Sequence, residues 1–151
     1  MEMKRTSNAD IHFQILTQHL DQELNARYGA LQSSYDKHNV IVPIETALVG
    51  FDETMPVACG CFKVIDDKTV EIKRMFVLSE YRRQGISTQM LHALEQWAIS
   101  LGYCMARLET GKRQPEAIGL YQKYGYEIID NFEPYRGIDN SVCMQKTLRS
   151  E

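Results

Sequence analysis

The sequence predicts a mixed α/β fold built on a central sheet. Two patterns carry that prediction. Three strand-like segments, 46–51 (TALVGF), 57–65 (VACGCFKVI) and 69–78 (TVEIKRMFVL), follow one another with only DETMP and Asp66-Asp67-Lys68 between them. Short polar turns of this kind join consecutive antiparallel strands. A long helical stripe then separates the third segment from a further strand-like one, 103–110 (YCMARLET). A helix placed between two strands can make a parallel crossover, which is normally right-handed.

Taken in order, residues 10–16 (DIHFQIL) read as a first strand. Residues 17–28 and 30–38 read as one broken helix or two short ones, interrupted near Gly29. The helix over 86–101 rests on Ile86, Met90, Leu94, Trp97 and Leu101 at helical spacing, with Leu91 and Ala98 widening the stripe. Its periodicity turns Trp97 toward the core, and Gly102 is placed to stop it. Pro115 suits a first helical position after Gln114. Ala117, Leu120, Tyr121 and Tyr124 share one face of that second helix, which Gly125 ends. Residues 126–130 and 141–148 complete the strands, with Phe132 to Gly137 in the connection.

A length of 151 residues suits one core, so residues 1–151 are expected to form a single domain. Against 20 Asp and Glu the chain has 17 Lys and Arg, a net charge of −3. That gives no broad electrostatic attraction for nucleic acid, and no aromatic–basic stripe supplies a local one. No apolar run approaches the roughly 20 residues a membrane span requires. The N-terminal MEMKRTSNAD lacks the apolar region of a signal peptide. The expectation is a cytoplasmic protein with neither nucleic acid nor membrane as partner.

The cysteines, Cys59, Cys61, Cys104 and Cys143, form no CxxC pair. Cys59 and Cys61 share one face of a strand. Further ligands at metal-binding spacing are missing, so no metal is expected, and small buried thiols are the plain reading. His12, His19, His38 and His92 show no ligand or triad spacing either.

The stretch Glu71 to Thr88 (EIKRMFVLSEYRRQGIST) holds the main functional signal. A strand pattern ends at Leu78, a short basic loop carries Arg82, Arg83 and Gly85, and a helix starts near Ile86. Such a junction presents N–H groups without intrahelical partners at the positive end of a helix dipole, which suits a phosphate or pyrophosphate. Gly85, with no Cβ, lets the backbone approach a ligand closely.

In these residues the chain resembles the GNAT superfamily of acetyl-CoA-dependent N-acetyltransferases. The family's loop signature is Arg/Gln-x-x-Gly-x-Gly/Ala, and here it reads Arg82-Arg83-Gln84-Gly85-Ile86-Ser87. Arg82 and Gly85 match, and Ser87 is a small replacement for Gly or Ala. Arg83 stands where many members have Gly; its charge is able to reach a phosphate or to stay solvated. A second family motif, Asn-x-x-Ala-x-x-Leu-Tyr followed by Gly and an aromatic, is met by Gln114 to Tyr121 (QPEAIGLY) and Gly125-Tyr126, with Gln114 for Asn. One short glycine motif is weak evidence, whereas two in the right order are specific. EIKRM, LETG and QPEAI also resemble a group of small bacterial members.

The resemblance implies an α/β, GNAT-like fold: a mixed, largely antiparallel central sheet flanked by helices on both faces. It implies acetyl-CoA as co-substrate and direct acetyl transfer to a primary amine of a small molecule. The pantetheine arm would pair with the backbone of Met75, Phe76 and Val77, and one of their N–H groups would polarise the thioester carbonyl. The pyrophosphate would lie on Arg82, Arg83, Gln84, Gly85, Ile86, Ser87 and Thr88. Glu71 is the implied general base, because its spacing ahead of Gly85 matches the glutamate of the histone acetyltransferase branch. A salt bridge with Lys73 or with a neighbouring strand is its structural alternative, and Glu109 is the reserve base. Tyr121 stands where many members place the tyrosine that protonates the leaving thiolate; a core aromatic is the alternative there. Gln114 would hydrogen-bond the pantetheine arm, or serve simply as the residue before Pro115.

For the acceptor, Lys73, Arg74, Arg107, Lys112, Arg113 and Arg136 form a set able to recognise a carboxylate or phosphate, with Tyr135 and Arg136 as part of a substrate wall. Two alternatives stand beside this reading: a protein or peptide N-acetyltransferase, and a non-catalytic acetyl-CoA-binding regulatory module. Many family members are dimers, and edge strands need cover or pairing, so a homodimer is a further expectation.

Overall fold

In the computed structural model, which describes residues 1–28 and 42–149, the chain runs β1 (Glu2–Thr6), α1 (Ile11–Tyr28), β2 (Ala47–Asp52), β3 (Met55–Val64), β4 (Thr69–Val77), a 3-10 turn (Ser79–Tyr81), α2 (Ile86–Ser100), β5 (Met105–Gly111), α3 (Pro115–Lys123), β6 (Glu127–Ile129) and β7 (Ser141–Thr147). The strands form a seven-stranded sheet in the order β1-β2-β3-β4-β5-β7-β6. The pairs β1–β2, β2–β3, β5–β7 and β6–β7 are antiparallel. β4 and β5, on either side of α2 in the sequence, are parallel, pairing from Thr69↔Met105 to Glu71↔Arg107. This is the mixed, largely antiparallel sheet that the turn pattern predicts, with its crossover at the helix named for it.

The start of the chain differs from the sequence expectation. Residues 10–16 open α1 instead of forming a strand, and the first strand is Glu2–Thr6. Ile11, Phe13 and Ile15 alternate as a strand would, but the residues that pack are Phe13, Leu16 and Leu20, at helical spacing. Ile11 and Ile15 are exposed. Asp10 fixes the choice locally, because its Oδ1 accepts the N–H groups of His12 (2.8 Å) and Phe13 (3.1 Å) and so caps the first turn. β1 is a polar edge strand whose ladder runs from Glu2↔Phe51 to Thr6↔Ala47; its residues carry almost no apolar alternation to reveal it. Leu101 lies beyond the end of α2 and is 54% exposed, so it is not part of the buried stripe. The helix expected over 30–38 lies outside the described residues.

The chain divides into two compact units, Met1–Lys63 with Arg74–Leu94, and Val64–Lys73 with Glu95–Glu151. It passes from one to the other inside β4 and again inside α2. In the first unit, Phe13 and Leu16 of α1 pack with Val49, Cys59, Cys61 and Phe76 on one face of the sheet. On the other face α2 covers β3 at Gly60, where a Cβ would stand 2.8 Å from Met75 Sδ and 3.0 Å from Leu94 Cδ1. Glycine there makes room for those side chains, and helices lie on both faces.

In the second unit β7 pairs with β5 along its whole length, from Met105↔Thr147 to Gly111↔Ser141. Val70, Ala106, Leu108 and Met144 are buried. A polar triad closes this core. Glu95 of α2, 3% exposed, accepts the Tyr126 hydroxyl at 2.8 Å and the Lys146 ammonium at 3.1 Å on each oxygen. A buried carboxylate is tolerable only when paired and hydrogen-bonded in this way. All four cysteines are free and buried.

Candidate active site

In the first unit the relevant residues lie on the C-terminal half of β4 and the loop beyond it. Arg74 sits in the strand with φ +59, a left-handed conformation that side chains with a Cβ rarely adopt. Its guanidinium donates to the Thr17 carbonyl at 3.1 Å and to Asp21 Oδ1 at 2.8 Å. Its carbonyl accepts the Cys59 thiol at 3.4 Å. Burial, and then the neighbouring Cys61, push the Cys59 thiol far above its ordinary pKa. Met75 is half-buried, and Phe76 and Val77 are buried.

After the 3-10 turn the loop is short. Arg83 (φ +65) and Gly85 (φ +78) are both left-handed, and a Cβ on Gly85 would meet nothing within 4 Å. The Gly85 carbonyl accepts the Gln89 N–H at 3.1 Å, so Gly85 is the residue that starts α2. Ile86, Ser87 and Thr88 therefore form the first helical turn, where N–H groups have no intrahelical partner. The side chain of Arg82 is held by the scaffold. Its Nε donates to the Val77 carbonyl at 2.8 Å, its terminal nitrogen pairs with Glu23 at 2.7 Å, and its guanidinium lies 5.4 Å from the centre of the Phe76 ring. Arg83 and Gln84 are exposed.

In the second unit Glu71 is 2% exposed. The Tyr135 hydroxyl donates to its Oε2 at 2.7 Å, and Lys73 Nζ stands 3.7 Å from the same oxygen while donating to the Tyr135 oxygen at 3.1 Å. The salt bridge foreseen for Glu71 is therefore present. Tyr135 is itself buried rather than spread along an open wall. Burial, and then the Glu71 charge, hold its phenol well above the ordinary range. Glu109 is half-buried and accepts the Ser141 hydroxyl at 2.7 Å.

Tyr121 projects from α3 with its ring edge-on to Tyr126, centres 5.8 Å apart. The residue is half-buried, and burial pushes its phenol up to about 12. Among the described residues the Tyr121 hydroxyl has no hydrogen-bond partner. Gln114 precedes Pro115, and its carbonyl accepts the N–H groups of Ala117 and Ile118; its side chain makes no capping bond to the helix.

The remaining candidates separate. Arg107 donates to Gln145 at 2.7 Å and lies over the Phe132 ring. Lys112, Arg113 and Arg136 are exposed, with Arg136 3.7 Å from Glu133. His12 meets Phe51 edge-on, His19 stacks on Phe76, His92 is exposed, and His38 lies outside the described residues. Trp97 is buried, as its periodicity predicts. Among the described residues no three His, Cys, Asp or Glu gather into a group that could hold a metal. Asp21 and Glu23, which hold Arg74 and Arg82, carry no signal in the sequence, since their partners lie 53 and 59 residues away.

The model of the Acetyltransferase (GNAT) family matches residues 13–126, and the chain belongs to that family of N-acetyltransferases. It is similar to the IAA acetyltransferase of Azospirillum brasilense, 31% identical over 135 residues that cover 88% of each chain. It is also similar to YsnE, an uncharacterized N-acetyltransferase of Bacillus subtilis, 34% identical over 92 residues. That match covers 60% of this chain and 61% of YsnE, less than two thirds of the relative's length. Among solved structures, one from Klebsiella pneumoniae assigned as an acyl-CoA N-acyltransferase shares 28% identity at a TM-score of 0.83, covering 98% of this chain and 97% of that one. A GNAT family acetyltransferase of Elizabethkingia anophelis, solved with acetyl-CoA bound, shares the fold at a TM-score of 0.59 and 22% identity, over 67% of this chain and 74% of that one. No helix among the described residues is long and apolar enough to cross a membrane.

Proposed function

We propose that residues 1–151 act as one N-acetyltransferase domain that transfers the acetyl group of acetyl-CoA to the primary amine of a small molecule. The observation that carries this reading is the junction at Gly85. A left-handed glycine with open space at its Cβ position starts a 15-residue helix, at the place where the family's phosphate-loop motif falls.

Acetyl-CoA supplies the activated thioester. The first-turn amides at Ile86, Ser87 and Thr88, with Arg83, Gln84 and Gly85, hold its pyrophosphate, and Arg82 ties the loop to β4. Met75, Phe76 and Val77 offer backbone groups to the pantetheine arm, and the Gln114 carboxamide adds a side-chain contact. Glu71 is the terminal base. Because Tyr135 covers it, the Tyr135 hydroxyl passes its proton to Glu71 as it takes one from the ammonium or an intervening water, and ends unchanged. Tyr121, protonated at neutral pH, is the donor for the leaving sulfur. We take a homodimer in the cytoplasm, a compartment that keeps thiols reduced, as the working state; light scattering at 17.4 kDa would show a monomer instead.

Calorimetry with acetyl-CoA, followed by thiol release across amino acids, polyamines, aminoglycosides and a lysine peptide, tests this reading. Binding with turnover on one class of small amine is the expected result. Turnover on the peptide alone would move the acceptor to protein, and binding without turnover would favour a cofactor-sensing module. Glu71→Gln is expected to lower kcat at least about 100-fold with acetyl-CoA affinity kept. The same loss in Glu109→Gln, with Glu71→Gln active, would reassign the base.

A further inference from the structure

We infer that Arg74 is a positioning residue for the donor site, its left-handed backbone aiming the Met75 amide and α1 holding it in that state. This rests on the reading of Met75–Val77 as the segment that meets the pantetheine arm. A left-handed residue inside a strand interrupts the regular pleat and bends the strand locally. Glycine would adopt it without strain; arginine must be held there. Three contacts from two elements do so. Thr17 and Asp21 of α1 accept from the guanidinium, and the Cys59 thiol of β3 donates a hydrogen bond to the Arg74 carbonyl.

The last contact is the informative one. The Arg74 carbonyl and the Met75 N–H belong to one planar peptide and point in opposite directions. Fixing the carbonyl on the buried Cys59 thiol therefore fixes the direction of the Met75 N–H, away from that thiol. The Asp21–Arg74 pair is charge-assisted, with Arg74 14% exposed and Asp21 42% exposed, so the geometry is held from the protein's own surface helix.

The test is acetyl-CoA affinity in Arg74→Gly, Arg74→Lys and Asp21→Asn. Arg74→Gly removes the strain together with the side-chain ties. It should melt no lower than the wild type, yet bind acetyl-CoA at least about tenfold more weakly, with KM for acetyl-CoA raised and KM for the amine unchanged. Arg74→Lys, which keeps one charged donor, should recover part of the affinity, and Asp21→Asn should show a smaller loss of the same kind. If Arg74→Gly does not fold, the half-exposed Asp21→Asn carries the same comparison. A wild type that binds acetyl-CoA, with variants that bind it equally well, overturns the inference alone. A wild type that does not bind it overturns the donor-site reading and this inference with it.

Discussion

A phenol hydroxyl that donates no hydrogen bond to the fold adds little to its stability beyond what the ring contributes. Tyr121 is in that position among the described residues, whereas the Tyr126 and Tyr135 hydroxyls donate hydrogen bonds to Glu95 and Glu71. Tyr121→Phe should therefore fold with unchanged stability, or be stabilised by up to about 1 kcal/mol, while thiol release falls and acetyl-CoA affinity stays. Paired thermal melts and turnover assays read both sides; a clear loss of stability would show that the hydroxyl is structural. Tyr121 could be singled out in the sequence because its motif is local. The burial of Tyr135 could not, since the contact that seals it over Glu71 spans 64 residues.

At the scale of elements, legibility followed periodicity. The apolar stripe of α2 and the polar turns between β2, β3 and β4 were readable because each signal is complete within a few residues. The start of α1 is ambiguous in the sequence because Ile11, Phe13 and Ile15 satisfy two periods at once, and only packing shows which one is used. Glu95 lies within the buried face of α2 and is explained by Lys146 of β7, 51 residues on. Lys146→Met would leave that buried carboxylate without its ammonium partner, and is expected to cost about 3 kcal/mol. Adding Glu95→Gln should recover part of the loss. Denaturant melts of the two single variants and the double give the coupling directly, and additive effects would mean that the pair contributes nothing as a pair.

For the whole molecule the buried acids set a limit in alkali. Burial raises the phenols of Tyr121, Tyr126 and Tyr135 and the thiols of Cys59 and Cys143, that of Cys143 to about 11. The folded chain thus holds these protons more tightly than the unfolded one. Their stabilising effect is complete below the unfolded values, 9.0 for Cys and 10.0 for Tyr, and is lost as pH rises through the folded ones. The melting temperature should be nearly level from pH 7 to about 9 and then fall steadily toward pH 11; a level profile to pH 11 would contradict the buried placement of these groups. The sheet order was legible as far as neighbouring turns could carry it. The division into two units was not, because it falls inside β4 and α2, where the sequence shows no boundary.

The four thiols also make the chain its own clock. An alkylating reagent needs an exposed thiol, and all four are buried, so exposure waits on local opening. Cys59 and Cys61 belong to the first unit, Cys104 and Cys143 to the second. Site-by-site labelling rates therefore time the breathing of each unit separately, without any added probe.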